Sequence, residues 1–93
     1  MPSYRTIMTV TTLAPGRAPE EVEAAARSVT RLESWDIAIT SGQPRVTARF
    51  TATDDAEARA THREITTAVR RVADVPRARL AAVVRGRSHY LAP

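Results

Sequence analysis

The sequence contains no cysteine, lysine or asparagine, and aromatic residues make up only 4% of its 93 residues. Without cysteine, the chain has no disulfide bonds, no thiolate metal ligands and no thiol nucleophile. No apolar run approaches the ~20 residues of a membrane-spanning helix, and no signal-peptide core follows Met1. We therefore expect a cytoplasmic protein that does not associate with a membrane. The length predicts one domain over residues 1–93, with residues 86–93 as a candidate C-terminal tail.

All fourteen basic residues are arginine. A codon bias explains this without any function, whereas a functional interpretation is that planar guanidinium groups bind phosphate or carboxylate in a bidentate manner. The distribution is uneven, because residues 1–76 contain as many acidic as basic residues. The segment 77–93 has no acid and carries the whole net charge of +4, on Arg77, Arg79, Arg85 and Arg87.

Residues 45–53 alternate between polar and apolar side chains. Successive side chains of a strand point to opposite faces of a sheet, so one set must cover the core while the other faces outward. The inward set is Val46, Ala48, Phe50 and Ala52, and the outward set is Arg45, Thr47, Arg49, Thr51 and Thr53. This pattern predicts a sheet with one packed face and one cationic open face.

The rest of the chain divides into strands and helices by the same reasoning. We predict a strand over residues 4–13, a helix from Pro19 to near Leu32, a short strand in which Trp35, Ile37 and Ile39 alternate with polar or small residues, a hairpin turn over 41–44, a helix to about Ala73, and a last strand over 77–85. Thr53 or Asp54 can cap the second helix, with Glu57 completing a capping box.

This βαββαβ order is typical of an α+β domain of the ferredoxin-like class. Right-handed crossovers then place two helices on one face of a four-stranded antiparallel sheet with strand order 4-1-3-2. Strands two and four are expected at the edges. Two registers remain open for the first strand. Either Arg5 lies on the open face, or Tyr4, Met8 and Val10 lie there and form an apolar dimer seam.

No group of residues predicts catalysis, a metal site or a cofactor. The acidic clusters at residues 20–23 and 54–57 fall in first helical turns, where the helix dipole accounts for them. His62 is expected at the margin of the core and His89 in the exposed tail, and neither has a second ligand at metal-binding spacing. We therefore expect a protein that is not an enzyme.

The first strand leads through Pro15-Gly16 into the first helix. In this motif and in its element order, the chain resembles ACT-type regulatory domains. The resemblance implies a dimeric regulatory module that binds a small anionic or amino-acid-like ligand, with Gly16 and Arg17 on the loop and Arg45 and Arg49 nearby. The small size of the chain also favours a homo-oligomer, formed through its open sheet or an edge strand. A protein partner for the exposed sheet is a further hypothesis.

The alternative hypothesis is a nucleic-acid-binding protein. Arginines at the open face and in the last strand can neutralise phosphates, and the candidates are Arg45, Arg49, Arg77, Arg79, Arg85 and Arg87. Binding of single strands usually adds aromatic side chains on which bases stack. The outward positions of residues 45–53 are arginine and threonine, so the sequence does not favour an RNA-recognition-motif surface.

Overall fold

The computed structural model describes residues 1–92 and shows an α+β fold with two helices, a five-stranded antiparallel sheet and a small two-stranded sheet. The elements are β1 (Ser3–Thr9), β2 (Thr12–Leu13), α1 (Glu20–Val29), β3 (Ser34–Thr40), β4 (Gln43–Thr51), α2 (Asp55–Arg70), β5 (Ala73–Asp74), β6 (Arg77–Val84) and β7 (Arg87–Tyr90). The α+β class expected from the sequence is therefore confirmed.

The main sheet has the order β3-β4-β1-β6-β7, with all neighbours antiparallel. The prediction of four strands was wrong, because the candidate tail folds back on β6 and forms the fifth strand. As a result β6 is not an edge strand, and β7 occupies that edge. The other four strands follow the expected order.

Two-residue turns form both hairpins of the main sheet. Ser41 and Gly42 connect β3 to β4 with φ of 52° and 77°, and Arg85 and Gly86 connect β6 to β7 with φ of 52° and 78°. Positive φ at both central residues is the type I′ geometry, whose twist matches that of the two strands. The turn predicted at 41–44 is thus confirmed in a shorter form, since β4 already includes Gln43 and Pro44.

The first strand ends at Thr9 instead of continuing to Leu13 as predicted. The Val10 N–H still donates to the carbonyl of Pro44, but the next N–H, that of Thr11, donates to the carbonyl of Asp74. The chain therefore changes partner at this point, from β4 to β5. Residues 12–13 pair with residues 73–74 in the two-stranded sheet.

Both helices end before the positions predicted from their apolar residues, at Val29 and Arg70. Leu32 and Val72 lie beyond the helix ends but remain buried. Because these apolar residues continue the helical spacing, the sequence predicts helices that are too long. The predicted cap of α2 is confirmed: Asp54 accepts a hydrogen bond from the Glu57 N–H at 2.8 Å.

The core lies between the helices and one face of the main sheet. Phe50 and Met8 are completely buried there, and the ring of Tyr4 stacks on that of Phe50 with centroids 6.0 Å apart. Since Tyr4, Met8 and Val10 are in this core, β1 has the register that leaves Arg5 on the open face. The alternative register, with its apolar dimer seam, is wrong.

Neither helix within residues 1–92 combines the length and the apolar composition needed to cross a membrane.

Candidate anion-binding site on the open sheet face

The sheet register brings arginines of β4 and β6 together on the face away from the helices, on either side of β1. Arg45 on β4 and Arg77 on β6 both flank Thr9 of β1, and Arg79 on β6 flanks Ile7 one step along. Like charges gathered on one face of a sheet repel each other. A shared anion would relieve that repulsion.

A depression of about 280 Å³ lies among these side chains. Its floor includes Ile7, which is only 8% exposed although it does not belong to the core between sheet and helices. Its lining consists of Ile7, Thr9, Thr40, Ser41, Gln43, Arg45, Arg77, Arg79 and Tyr90. Among residues 1–92, this lining has three guanidinium groups, several neutral hydrogen-bonding groups and no carboxylate.

Tyr90 holds two of the arginines in place. The guanidinium carbon of Arg79 lies 3.7 Å from the centroid of the Tyr90 ring, in a cation–π arrangement. On the other side of the depression, Nη2 of Arg45 donates to the Tyr90 hydroxyl at 3.3 Å. The hairpin turn at Arg85 and Gly86 determines this position, because it pairs Tyr90 with Ala81 and so orients the ring toward the open face.

Two further arginines of the open face have other partners. Arg5 donates to the Ser88 hydroxyl of β7 at 2.8 Å. Arg49 lies directly opposite Arg5, and its Nε is 3.9 Å from a carboxylate oxygen of Glu33. That Nε atom is buried and has no hydrogen-bond partner within the described chain. The positive charge of Arg49 is thus partly offset by Glu33, whereas those around Tyr90 are not offset by an acid in the lining.

The other predicted ligand residues lie apart from this depression. Gly16 occupies a turn with φ of 78°, and Arg17 forms an ion pair with Glu21 at 3.1 Å. Neither Gly16 nor Arg17 lines this depression or the neighbouring one that also includes Arg45. The structure therefore groups Arg45 with Arg77 and Arg79, and does not group it with the loop.

The arginines proposed for nucleic acid are likewise divided. Arg77 and Arg79 lie on the open face with Arg45. Arg85 lies in the turn between β6 and β7, and Arg87 pairs with Val84, which places Arg87 on the same face of the sheet as the helices. A flat ligand on the open face would contact the first group but not Arg87.

His62 is half-buried on α2 and is part of a structural hydrogen bond. Its Nδ1 lies 2.9 Å from Oγ1 of Thr6, a side chain completely buried in β1. Burial lowers the pKa of His62, and the nearby charges of Arg70 and Arg63 lower it further. The ring lines a cavity of about 400 Å³ between α2 and β6, where Arg59 and Arg70 already donate to backbone carbonyls.

Sequence reasoning missed Tyr90 and Ile7 as parts of the site. Tyr90 lies in the predicted C-terminal tail, and it joins the site through a four-residue strand that is too short for a clear alternating pattern. The sequence feature that could have identified Tyr90 is Arg85-Gly86. A two-residue hairpin turn at this glycine determines which of the following residues face the helices and which face the open side of the sheet. Ile7 gave no signal, because β1 has apolar residues in both registers.

Comparisons of this chain with protein-family models, with the sequences of curated proteins and with solved structures give no match.

Proposed function

We propose that this protein is a non-catalytic binding module that holds a small anionic ligand, of the phosphate or carboxylate type, on the open face of its sheet. The observation that carries the proposal is the depression lined by Arg45, Arg77 and Arg79, to which no carboxylate of the described part of the chain contributes. Planar guanidinium groups bind such anions through paired, charge-assisted hydrogen bonds. Tyr90 supports the arrangement by restricting Arg45 and Arg79 before a ligand arrives.

The fold is compatible with this proposal. The strand order β3-β4-β1-β6 with two helices supports a ferredoxin-like domain to which β7 has been added. A regulatory role of the ACT type remains part of the proposal, with the ligand on the open face. Gly16 and Arg17 remain a separate prediction, since Arg17 is paired with Glu21.

The test is isothermal titration calorimetry of the full chain with inorganic phosphate, pyrophosphate and citrate, at low and moderate salt. A charge-assisted hydrogen bond contributes about 1.5–3 kcal/mol, so Arg79→Gln and Arg45→Gln should each weaken binding by about tenfold or more. Arg87→Gln is the matched control, because Arg87 lies on the opposite sheet face. Equal losses in Arg79→Gln and Arg87→Gln, or no binding by the unaltered protein, would reject the site.

Nucleic acid is the second candidate, and the five arginines of the open face favour it (Arg5, Arg45, Arg49, Arg77 and Arg79). A mixed single-stranded oligonucleotide in the same titration separates the two functions. Phosphate neutralisation along a strand gives an affinity that falls steeply with salt. It would also make binding depend on Arg5 and Arg49, which lie on the open face but outside the lining of the depression.

A further inference from the structure

The strand β3 forms one edge of the main sheet and exposes apolar side chains along it. Within residues 1–92, it pairs only with β4. Ile37 pairs with Val46 and Ile39 with Pro44, which places both isoleucines on the same sheet face as the helices. Their side chains are nevertheless 64% and 68% exposed. The strand contains no lysine, arginine, proline or glycine. Asp36 is therefore its one residue of the kinds that protect an edge strand from pairing with another chain.

The free backbone groups of this edge belong to the same residues as the apolar side chains. The Ala52 N–H donates to Pro2 and the Val10 N–H to Pro44, so even-numbered residues of β4 bond to β1. Odd-numbered residues of β4 must then bond to β3, where they pair with even-numbered residues such as Asp36 and Ala38. The N–H and C=O groups of the odd-numbered residues Trp35, Ile37 and Ile39 consequently point away from the sheet.

We infer that β3 pairs with β3 of a second copy of this chain, antiparallel and about a two-fold axis at Ile37. In this register Ile37 lies opposite Ile37 of the second copy, and Trp35 lies opposite Ile39. The outward backbone groups of all three residues obtain partners, and their side chains form one apolar cluster on the helix side. A two-fold interface needs a surface that is complementary to itself, and this register satisfies that need for backbone and side chains together.

The charges on the other face of the strand agree with the same register. Asp36 is the one acidic residue of β3, and it lies opposite the methyl group of Ala38 of the second copy, so like charges do not meet. Ala38 is itself paired with Arg45 of β4. Asp36 of the second copy thus lies in line with Ala38 and Arg45 across the strands, where a guanidinium group is present and no acid is. This complementarity favours a second copy over an unrelated extended peptide.

The inference does not depend on the proposed anion site, because the apolar contacts lie at the sheet edge and on the helix side. The two can fail separately. Ile37→Lys should abolish pairing of the two copies but leave phosphate binding unchanged. Arg79→Gln should weaken phosphate binding but leave pairing unchanged.

The test is sedimentation equilibrium of the full chain between about 1 and 100 µM, with the wild type, Ile37→Lys and Ala38→Lys. The chain has a mass of 10.2 kDa, and we expect the wild type to reach twice that mass. Ile37→Lys should remain at the monomer mass, since it buries an ammonium group in the apolar cluster. Ala38→Lys adds the same charge to the same strand but places it beside Asp36 of the second copy, so it should still dimerise.

Trp35 emission provides a second readout of this interface. Its maximum should shift to shorter wavelength with increasing concentration in the wild type and in Ala38→Lys, but not in Ile37→Lys. Circular dichroism checks folding, and Ile39→Lys replaces Ile37→Lys if the latter unfolds. A wild-type mass of 10.2 kDa at the highest concentration would overturn the inference. So would a dimer that persists in Ile37→Lys, which would place the interface elsewhere.

Discussion

Tyr4 combines a core ring with a buried hydroxyl that donates to Oδ1 of Asp55 at 2.8 Å. Burial and then the bond to Asp55 raise the pKa of Tyr4 to about 12, from an ordinary value of 10.0. The unfolded chain therefore ionises first as pH rises. The stability contributed by the protonated phenol is complete below pH 10 and is lost as the pH approaches 12.

We predict that Tyr4→Phe loses about 1 kcal/mol of unfolding free energy at pH 7, the usual contribution of one hydrogen bond. The unfolding free energy of Tyr4→Phe should also decrease less than that of the wild type when the pH is raised above 10. Urea denaturation at pH 7, 10 and 11 measures both effects. Tyr90→Phe is the control, since Tyr90 is 42% exposed. An equal alkaline loss in Tyr4→Phe and the wild type would contradict the prediction.

His62 gives the opposite dependence on pH. Its pKa lies below the ordinary value of 6.5 because burial disfavours the charged ring, as do Arg70 and Arg63. As pH falls below about 6.5, the unfolded chain takes up the proton first, so stability is complete above this pH and is lost below it. We expect the melting temperature to fall between pH 7 and pH 5.5, and to fall less in His62→Gln. His89→Gln, at an exposed position of β7, should behave like the wild type.

At the scale of single elements, the two hairpin turns carry avoidable strain. Ser41 and Arg85 each adopt φ of 52° without being glycine, and asparagine tolerates this conformation better than most residues. Ser41→Asn should raise the unfolding free energy by about 0.5 kcal/mol, which is roughly 2–4 °C in a domain of this size. Thr40→Asn, one residue earlier within β3, is the control and should lower it. Differential scanning calorimetry decides between these outcomes.

Sequence patterns predicted some elements better than others. The alternation over residues 45–53 identified β4 and both of its faces, because a half-buried central strand is the case in which burial and periodicity coincide. The same signal failed at β1, where Ile7 is buried on the open face and Met8 in the core. It also failed at β7, which has four residues. The arginines of the site could be named from the sequence, but grouping Arg45 with Arg77 required the ladder through Thr9.

For the whole molecule, positive charge exceeds negative charge, and five arginines lie on the open face of the main sheet. The net charge is +4, and Arg5 and Arg49 lie directly opposite each other on the open face. Raising sodium chloride from 20 to 300 mM shortens the Debye length from roughly 20 Å to about 6 Å, so this repulsion should weaken and the melting temperature should rise. Phosphate at matched ionic strength should raise it further. The additional rise, but not the effect of chloride, should disappear in Arg79→Gln.

The two-stranded sheet joins segments that are distant in the sequence. Residues 11–14 lead into the first helix, and residues 72–74 follow the second. They are joined by the pairing of Thr12 with Asp74, by the bond from the Thr11 hydroxyl to the Asp74 carboxylate at 2.7 Å, and by the Ala14 N–H donating to Val72. Each half of the chain thus supplies one strand of the two-stranded sheet. Neither half of the chain can unfold without breaking the two-stranded sheet, so the two halves should lose their structure together in a single cooperative transition.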